Sequence, residues 1–489
     1  MQAGTITTIG PAAGPPLRTA AGPSAAAESA TAAATEAEYG DRAADSAPRN
    51  LEGPCRRADS PAISLVEFPL ADTASAALLS RGADGILRYG NLSPALTELL
   101  DLQVHAFADR EAVVEVGGGR LTYRELWHSA SRVAGGLQEH GIGYGDRVAV
   151  HMPPGVRWVQ AFLGALLSGA VPVLVHHGMP DGAAEKVIAD SDADFVLGSA
   201  QRGCGATRSD GPRSADLPDG AAFIDDGAAL NDLALLCYTD GADVNELPTG
   251  VELTNENLLS AIRSMVAALD LPTDGMRNLV LQPLAHAGGC VDQLLPTFAV
   301  GGTVVLAQGG AGVARAIAGE GVDTVAANTR ILAGLLPELA VGRAGGLPTD
   351  RVVRISRSDQ CLPVPGGAAA DTAGQDFLAE LCQVFPSARQ WSVWGATETS
   401  GIGLALGPTA GPVGDVDDTV LGFPFGGTEL ALCGPRAASG HGELLCRGPN
   451  VSRRYWKDPQ RTADRFTGTW FHTGDQVSIG RDGLVRRSA

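Results

Sequence analysis

The sequence predicts an α/β protein, with two α/β subdomains built on largely parallel sheets and a small β subdomain after them. Two observations carry that expectation. From Asn91 to about Ser358, apolar segments of strand length alternate with segments whose apolar residues recur at helical spacing. That alternation places parallel strands under crossover helices. After about Gly407 the helical spacing stops, and short strands follow one another across Gly and Pro turns. At 489 residues and 44% hydrophobic composition, the chain is long enough for several domains and apolar enough for a large core. The expected division is 1–60 as a disordered Ala/Gly/Pro-rich extension, 61–410 as the α/β body and 411–489 as the β subdomain.

The elements follow in order. Residues 1–60 lack apolar periodicity. Asn91 onward reads as a helix, with Ser93 as its N-cap and Pro94 at its first position. Ala112–Val116 is a strand, and Thr122 with Glu125 forms a capping box for a helix running to about His140. Arg147–Met152 is a strand. The apolar run Trp158–Val175 reaches the length of a membrane span, but Gly169 and Pro172 interrupt it, so it reads as helix, turn and strand. A helix over Ala183–Asp190 and a strand over Asp194–Gly198 precede a polar stretch. Leu233–Tyr238 is a buried strand, followed by a polar loop and a helix from about Asn255. Further strands are expected at Leu279–Leu284, Gly302–Leu306, Asp323–Ala327 and Val352–Ser356, then at Gly427–Cys433, Gly442–Gly448 and Gly468–Asp475.

Composition excludes more than it selects. A formal charge of −19 disfavours nucleic acid as a partner, because phosphate binding wants a surplus of Lys and Arg. The eight cysteines show no C-x-x-C pair and no His/Cys cluster at zinc spacing, which points to free thiols in a reducing, cytoplasmic setting. No secretory signal is visible.

The stretch Trp391–Gly403, W-S-V-W-G-A-T-E-T-S-G-I-G, gathers aromatics, a Thr and a Glu within a few residues. Together with L-T-Y-R-E-L, G-D-R-V-A-V, P-L-A-H (Pro283–His286), G-E-L-L-C-R-G-P and W-F-H-T-G-D, it resembles the adenylate-forming superfamily in motif order and rough spacing, over about residues 91–489. That superfamily comprises acyl-CoA synthetases and other AMP-dependent ligases, peptide-synthetase adenylation domains and luciferases. The resemblance implies the fold of the family's large N-terminal domain. It also implies ATP- and Mg²⁺-dependent activation of a small-molecule carboxylic acid to an acyl-adenylate, with coenzyme A or a carrier-protein thiol as acceptor.

By the same resemblance, Trp394 replaces a Tyr against adenine and Gly395 follows it at the nucleotide. Thr397 contacts the α-phosphate, Glu398 holds Mg²⁺ and Asp475 accepts the ribose hydroxyls. His286 borders the acid pocket, with Gly288 and Gly289 leaving room behind it. Each residue also has a plain structural reading: a polar turn with a buried Trp, a turn Asp after Gly474, and a satisfied half-buried His.

Three departures cut against turnover. The phosphate loop of the family is Ser/Thr/Gly-rich and ends in Pro-Lys-Gly. Small residues there let backbone N–H groups face the phosphates, and the Lys adds positive charge. Here Thr239, Asp240 and Gly241 open a run that carries Asp243 and Glu246, and Thr249 stands before Gly250 where the Lys belongs. Each carboxylate near a phosphate costs about 1 kcal/mol at ~4 Å even in water. Asp359, Gln360 and Cys361 replace a Gly-Gly-Ala type turn at the adenine. The sequence stops at Ala489, where the family continues into a lid domain bearing a catalytic Lys, so that lid is expected to be absent or supplied as a separate partner. Three readings stay open: a weakened ligase body completed in trans, a catalytically inactive binding or scaffold protein, and a truncated gene product.

Overall fold

The computed structural model describes residues 49–55, 63–68, 78–198, 213–221, 227–239, 248–358, 370–409 and 419–488. Two large sheets organise them. The smaller runs in the order Arg213–Ser214, Phe195–Leu197, Arg147–Val150, Val171–Leu174, Leu233–Tyr238 and Gly250–Thr254, parallel except for the last pairing. The larger is half parallel, through Glu111–Glu115, Thr303–Leu306, Arg277–Val280, Thr324–Asn328, Arg354–Ser358 and Arg389–Ala396. Gly401–Thr409 then turns back against Arg389–Ala396. From there the sheet is antiparallel through Val420–Pro424, Val485–Arg487, Trp470–Ile479, His441–Arg447 and Glu429–Cys433. Ile63–Phe68 and Arg49–Cys55 complete that edge. The last of these strands falls inside the segment expected to lack structure.

Local signals place most elements. Thr122 Oγ1 accepts the Glu125 N–H while the Glu125 carboxylate accepts the Thr122 N–H, and the helix they start runs Tyr123–Glu139. The apolar run divides as expected, into a helix Val156–Leu167, a turn at Gly169 (φ +83°) and a strand Val171–Leu174. No helix among the described residues is long and apolar enough to cross a membrane. Trp158 stacks on Phe162 with ring centroids 5.3 Å apart inside the largest core cluster. A second cluster, with Leu279, Val325, Ile355 and Phe385, lies against the parallel half of the large sheet.

Three expectations are corrected. Ser93 does not cap the first helix, which spans Leu96–Phe107 behind Ala95. The Leu96 N–H instead reaches Asn255 Oδ1 at 2.9 Å, so a residue distant in sequence supplies the cap. The strand expected over Leu279–Leu284 ends at Val280. Beyond it Gln282 bonds Ser358 across the sheet end, and Pro283 lacks the N–H a ladder needs. Gly250–Thr254, taken as part of a loop, is a strand paired antiparallel to Leu233–Tyr238.

Asn255 also donates from Nδ2 to the Ala229 carbonyl at 3.0 Å, so one buried amide ties three segments. Asn255→Ala should lower stability by about 1–2 kcal/mol, the cost of a lost cap that leaves its donor buried. Urea unfolding, read as a lowered midpoint with unchanged slope, checks this.

Candidate functional site

The site is built around a tight turn between two strands. Arg389–Ala396 enters it, Thr397–Thr399 form one turn of 3₁₀-helix, and Gly401–Thr409 leaves. Ser400 is left-handed (φ +52°) and Gly401 follows at φ +84°. A side chain on Gly401 would collide with the Asp292 carboxylate, so both backbone and space demand Gly there. Asp292 Oδ1 accepts the Ile402 N–H at 3.0 Å. Asn450 holds the turn from the antiparallel half: its Nδ2 donates to the Thr399 carbonyl at 3.0 Å, and its own carbonyl accepts the Ser400 hydroxyl at 2.7 Å.

The residues expected at the nucleotide are brought together here, with internal partners. Trp394 is 3% exposed, sealed in a core cluster with Leu404, Leu421 and Phe471. Its indole N–H donates to Asp475 Oδ2 at 3.2 Å, which links the residue expected at the adenine to the one expected at the ribose. Glu398 is 8% exposed, and its Oε1 accepts the Tyr455 hydroxyl at 2.6 Å. Burial and that carboxylate hold the Tyr455 phenol well above its ordinary range. Gly395 and Thr397 are half-buried, and Gly395 is closed against the Gly401 carbonyl.

The neck of the hairpin expected at the phosphates meets the same turn. Thr239 and Thr249 close its neck: the Thr239 N–H donates to the Thr249 carbonyl at 3.0 Å, and the Thr249 N–H donates to Thr239 Oγ1 at 3.2 Å. Gly250 pairs with Tyr238, and its carbonyl accepts the Trp456 N–H at 2.8 Å. Ser452 bridges the hairpin to the turn, donating its N–H to the Glu398 carbonyl at 2.7 Å and its hydroxyl to the Glu252 carbonyl at 2.9 Å. Arg453 and Arg454 lie beside it but are paired, with Glu256 at 3.1 Å and Glu252 at 2.6 Å. Asp240, Gly241, Asp243 and Glu246, and likewise Asp359, Gln360 and Cys361, lie outside the described residues.

His286 stands apart from this cluster, before the short helix Ala287–Gly289, with its ring 4.9 Å from that of His176 in an edge contact. The glycines behind it are closely approached by neighbouring atoms. Gly288 gives its space to the Gln282 side chain and Gly289 to the Pro283 carbonyl. A cleft of about 410 Å³ at the C-terminal ends of the parallel strands is lined by His176, Pro283, Gln282, Glu115 and Arg315.

A smaller cavity of about 30 Å³ lies between the π-helical segment Cys290–Leu294 and the strands carrying Trp391 and Ile402. Asn278 Oδ1, Gln293 Oε1 and Trp391 Nε1 are buried around it with no hydrogen-bond partner among the described residues. Asp292 lines it too. Burial lifts its carboxyl to about 7, against the pull of the Ile402 N–H. Asn450, Ser452, Tyr455 and Asp292 were missed in the sequence. The first three follow G-E-L-L-C-R-G directly, and a polar run with a Tyr after a strand is the signal they offered.

The fold is that of the N-terminal domain of adenylate-forming enzymes. The chain belongs to the AMP-binding enzyme family, whose model matches residues 100–456. It is 28% identical over 394 residues to a feruloyl-CoA synthase of Amycolatopsis sp, covering 76% of this chain and 73% of that one. It is 29% identical over 442 residues to the nonribosomal peptide synthetase inpB of Emericella nidulans, covering 82% of this chain and 17% of that protein. Among solved structures, the N-terminal domain of FACL13 from Mycobacterium tuberculosis superposes with a TM-score of 0.68 at 22% identity, over 81% of this chain and 100% of that domain.

The Asp292 carboxyl makes a prediction with a definite sign. Its folded value of about 7 lies above the 3.8 expected when unfolded, so the native state binds the proton more tightly. The stability it contributes is full below about pH 4 and is lost as pH rises through about 7, by roughly 4 kcal/mol at most. Asp292→Asn should flatten the fall in stability between about pH 5 and pH 8 seen in the unmodified chain. Urea midpoints at the two pH values measure it.

Proposed function

We propose that this chain is the acid- and nucleotide-binding body of an acid–thiol ligase whose nucleotide side is weakened, so that it binds a small carboxylic acid and forms little acyl-adenylate by itself. The observation that carries this reading is the engagement of Glu398 and Asp475 by Tyr455 and Trp394. The two carboxylates on which Mg²⁺ and ribose would depend each have an oxygen committed inside the protein. Thr249 at the neck of the hairpin, where the family's Lys belongs, supports the same reading. Glu398 still fits a Mg²⁺ through its second oxygen, with phosphates and water as the remaining ligands. The cation would supply charge neutralisation for the triphosphate, and Thr397 a hydroxyl at the α-phosphate. The acceptor would be a thiol, of coenzyme A as in the name of the feruloyl-CoA synthase, or of a carrier protein. A separate lid domain would supply the water exclusion that acyl transfer needs.

The 30 Å³ cavity bears on the acid. It has room for about one or two waters, or for a hydroxyl, and it offers unpaired amide oxygens and an indole N–H. An acid whose far end carries a hydroxyl or similar hydrogen-bonding group suits it better than a plain aliphatic chain, which would leave those groups buried and unpaired.

Two measurements test the reading. A panel of hydroxylated aryl and short aliphatic acids should raise the melting temperature of the chain, while pyrophosphate exchange with the same acids stays near background. Exchange at the rate of an active ligase overturns the weakening, and the absence of any acid-dependent shift overturns acid binding. Thr249→Lys should tighten ATP–Mg²⁺ binding about fivefold, the roughly 1 kcal/mol that one charge pair is worth in water. Unchanged affinity would place the hairpin away from the phosphates.

A further inference from the structure

Three strands of the antiparallel region bring a cysteine, a glutamate and a histidine together outside the site described above. Cys433 and Glu443 are directly opposed on neighbouring strands, so their side chains leave the same face. The pairing of His441–Arg447 with Trp470–Ile479 shifts register between Glu443 and Leu445. With that shift, His472 Nδ1 lies 3.0 Å from Glu443 Oε2. A thiol sulfur, a carboxylate oxygen and an imidazole nitrogen, one from each residue, all lie within 4.8 Å of one another. Cys433 is buried and the other two are half-buried.

The atoms on the far side of each group are already oriented. Thr467 Oγ1 is 2.8 Å from His472 Nε2, and the Gly474 N–H donates to Glu443 Oε1 at 3.2 Å. These are the outer hydrogen bonds that fix the ring and the carboxylate of metal ligands. When His472 donates its Nε2–H to Thr467, its Nδ1 carries a lone pair. Without a metal, an Nδ1–H donated to Glu443 and a Thr467 hydroxyl donated to Nε2 satisfy the same contacts; a metal ion would take the place of the Nδ1 proton. A proton makes no use of the thiol, whereas sulfur, imidazole nitrogen and carboxylate oxygen together form a zinc donor set.

We infer that Cys433, Glu443 and His472 form a site for a divalent cation of the zinc class, with three protein ligands and a fourth position for water. Binding forms Zn–S, Zn–N and Zn–O bonds and releases the thiol proton, together with the proton held between His472 and Glu443. The cation would tie the strand Glu429–Cys433 to the segment Thr467–Asp475 and so brace the strand that carries Asp475.

Cobalt is the probe. The full chain, stripped with a chelator, should take up about one equivalent of Co²⁺ with a thiolate-to-cobalt charge-transfer band that Zn²⁺ displaces. Cys433→Ser should abolish the band, and Cys382→Ser should keep it. Thr467→Val leaves all three ligands in place and should weaken Zn²⁺ binding about 10–100-fold. No band in the unmodified chain, or a band that survives Cys433→Ser, overturns the site. If circular dichroism shows that Cys433→Ser does not fold, Zn²⁺ titrations of Thr467→Val and Glu443→Gln decide, and unchanged affinity in both overturns it.

Discussion

The turn from Thr397 to Gly401 is the constraint on which the rest of the structure depends. It is the only link along the chain between Arg389–Ala396, the last parallel strand, and Gly401–Thr409, the first antiparallel one. A left-handed Ser400 followed by a Gly at positive φ costs backbone energy, and such conformations persist only where the surroundings over-determine them. Here Asn450 grips the turn twice, Asp292 accepts the N–H that follows it, and Thr428 holds Asn450 Oδ1 at 3.1 Å. With the turn so fixed, the positions of Trp394, Thr397 and Glu398 are fixed as well.

The same grip decides the electrostatics. The segment Asn450–Trp456 staples the turn to the neck of the Thr239–Thr249 hairpin through Ser452 and Tyr455, and Val251 bridges directly to Tyr455. The hairpin neck and the buried Glu398 are therefore joined through Ser452 and Tyr455. A cation placed at the neck would be felt at the turn, whereas Thr249 offers a backbone N–H that Thr239 already accepts. The neck is closed by these backbone and hydroxyl contacts, so its geometry does not depend on a charge at Thr249.

The sequence made legible whatever is specified locally. The Thr122–Glu125 box lies within one turn of helix, and Gly169 breaks an apolar run in place, so both read correctly from a few neighbours. The first helix did not, because its donor is capped by Asn255, a partner no window contains. The site divides in the same way. W-G-A-T-E could be read as a segment, but the partners that give it meaning come from Asp292, Asn450, Ser452, Tyr455 and Asp475, on other elements. Cys433, Glu443 and His472 show no metal spacing along the chain, since strand pairing and a register shift, not sequence distance, bring them together.

Trp394 shows how one side chain can tie two ends of a site together. A phenol at this position could donate or accept, and it is small enough to stand at a pocket wall. An indole is larger and can only donate. It gains by filling the apolar space among Leu404, Leu421 and Phe471, and once there its N–H needs an acceptor. Asp475 Oδ2 is the acceptor within reach. The burial that stabilises the ring therefore commits the carboxylate, and any ligand hydroxyl arriving at Asp475 must compete with a hydrogen bond that the core itself requires.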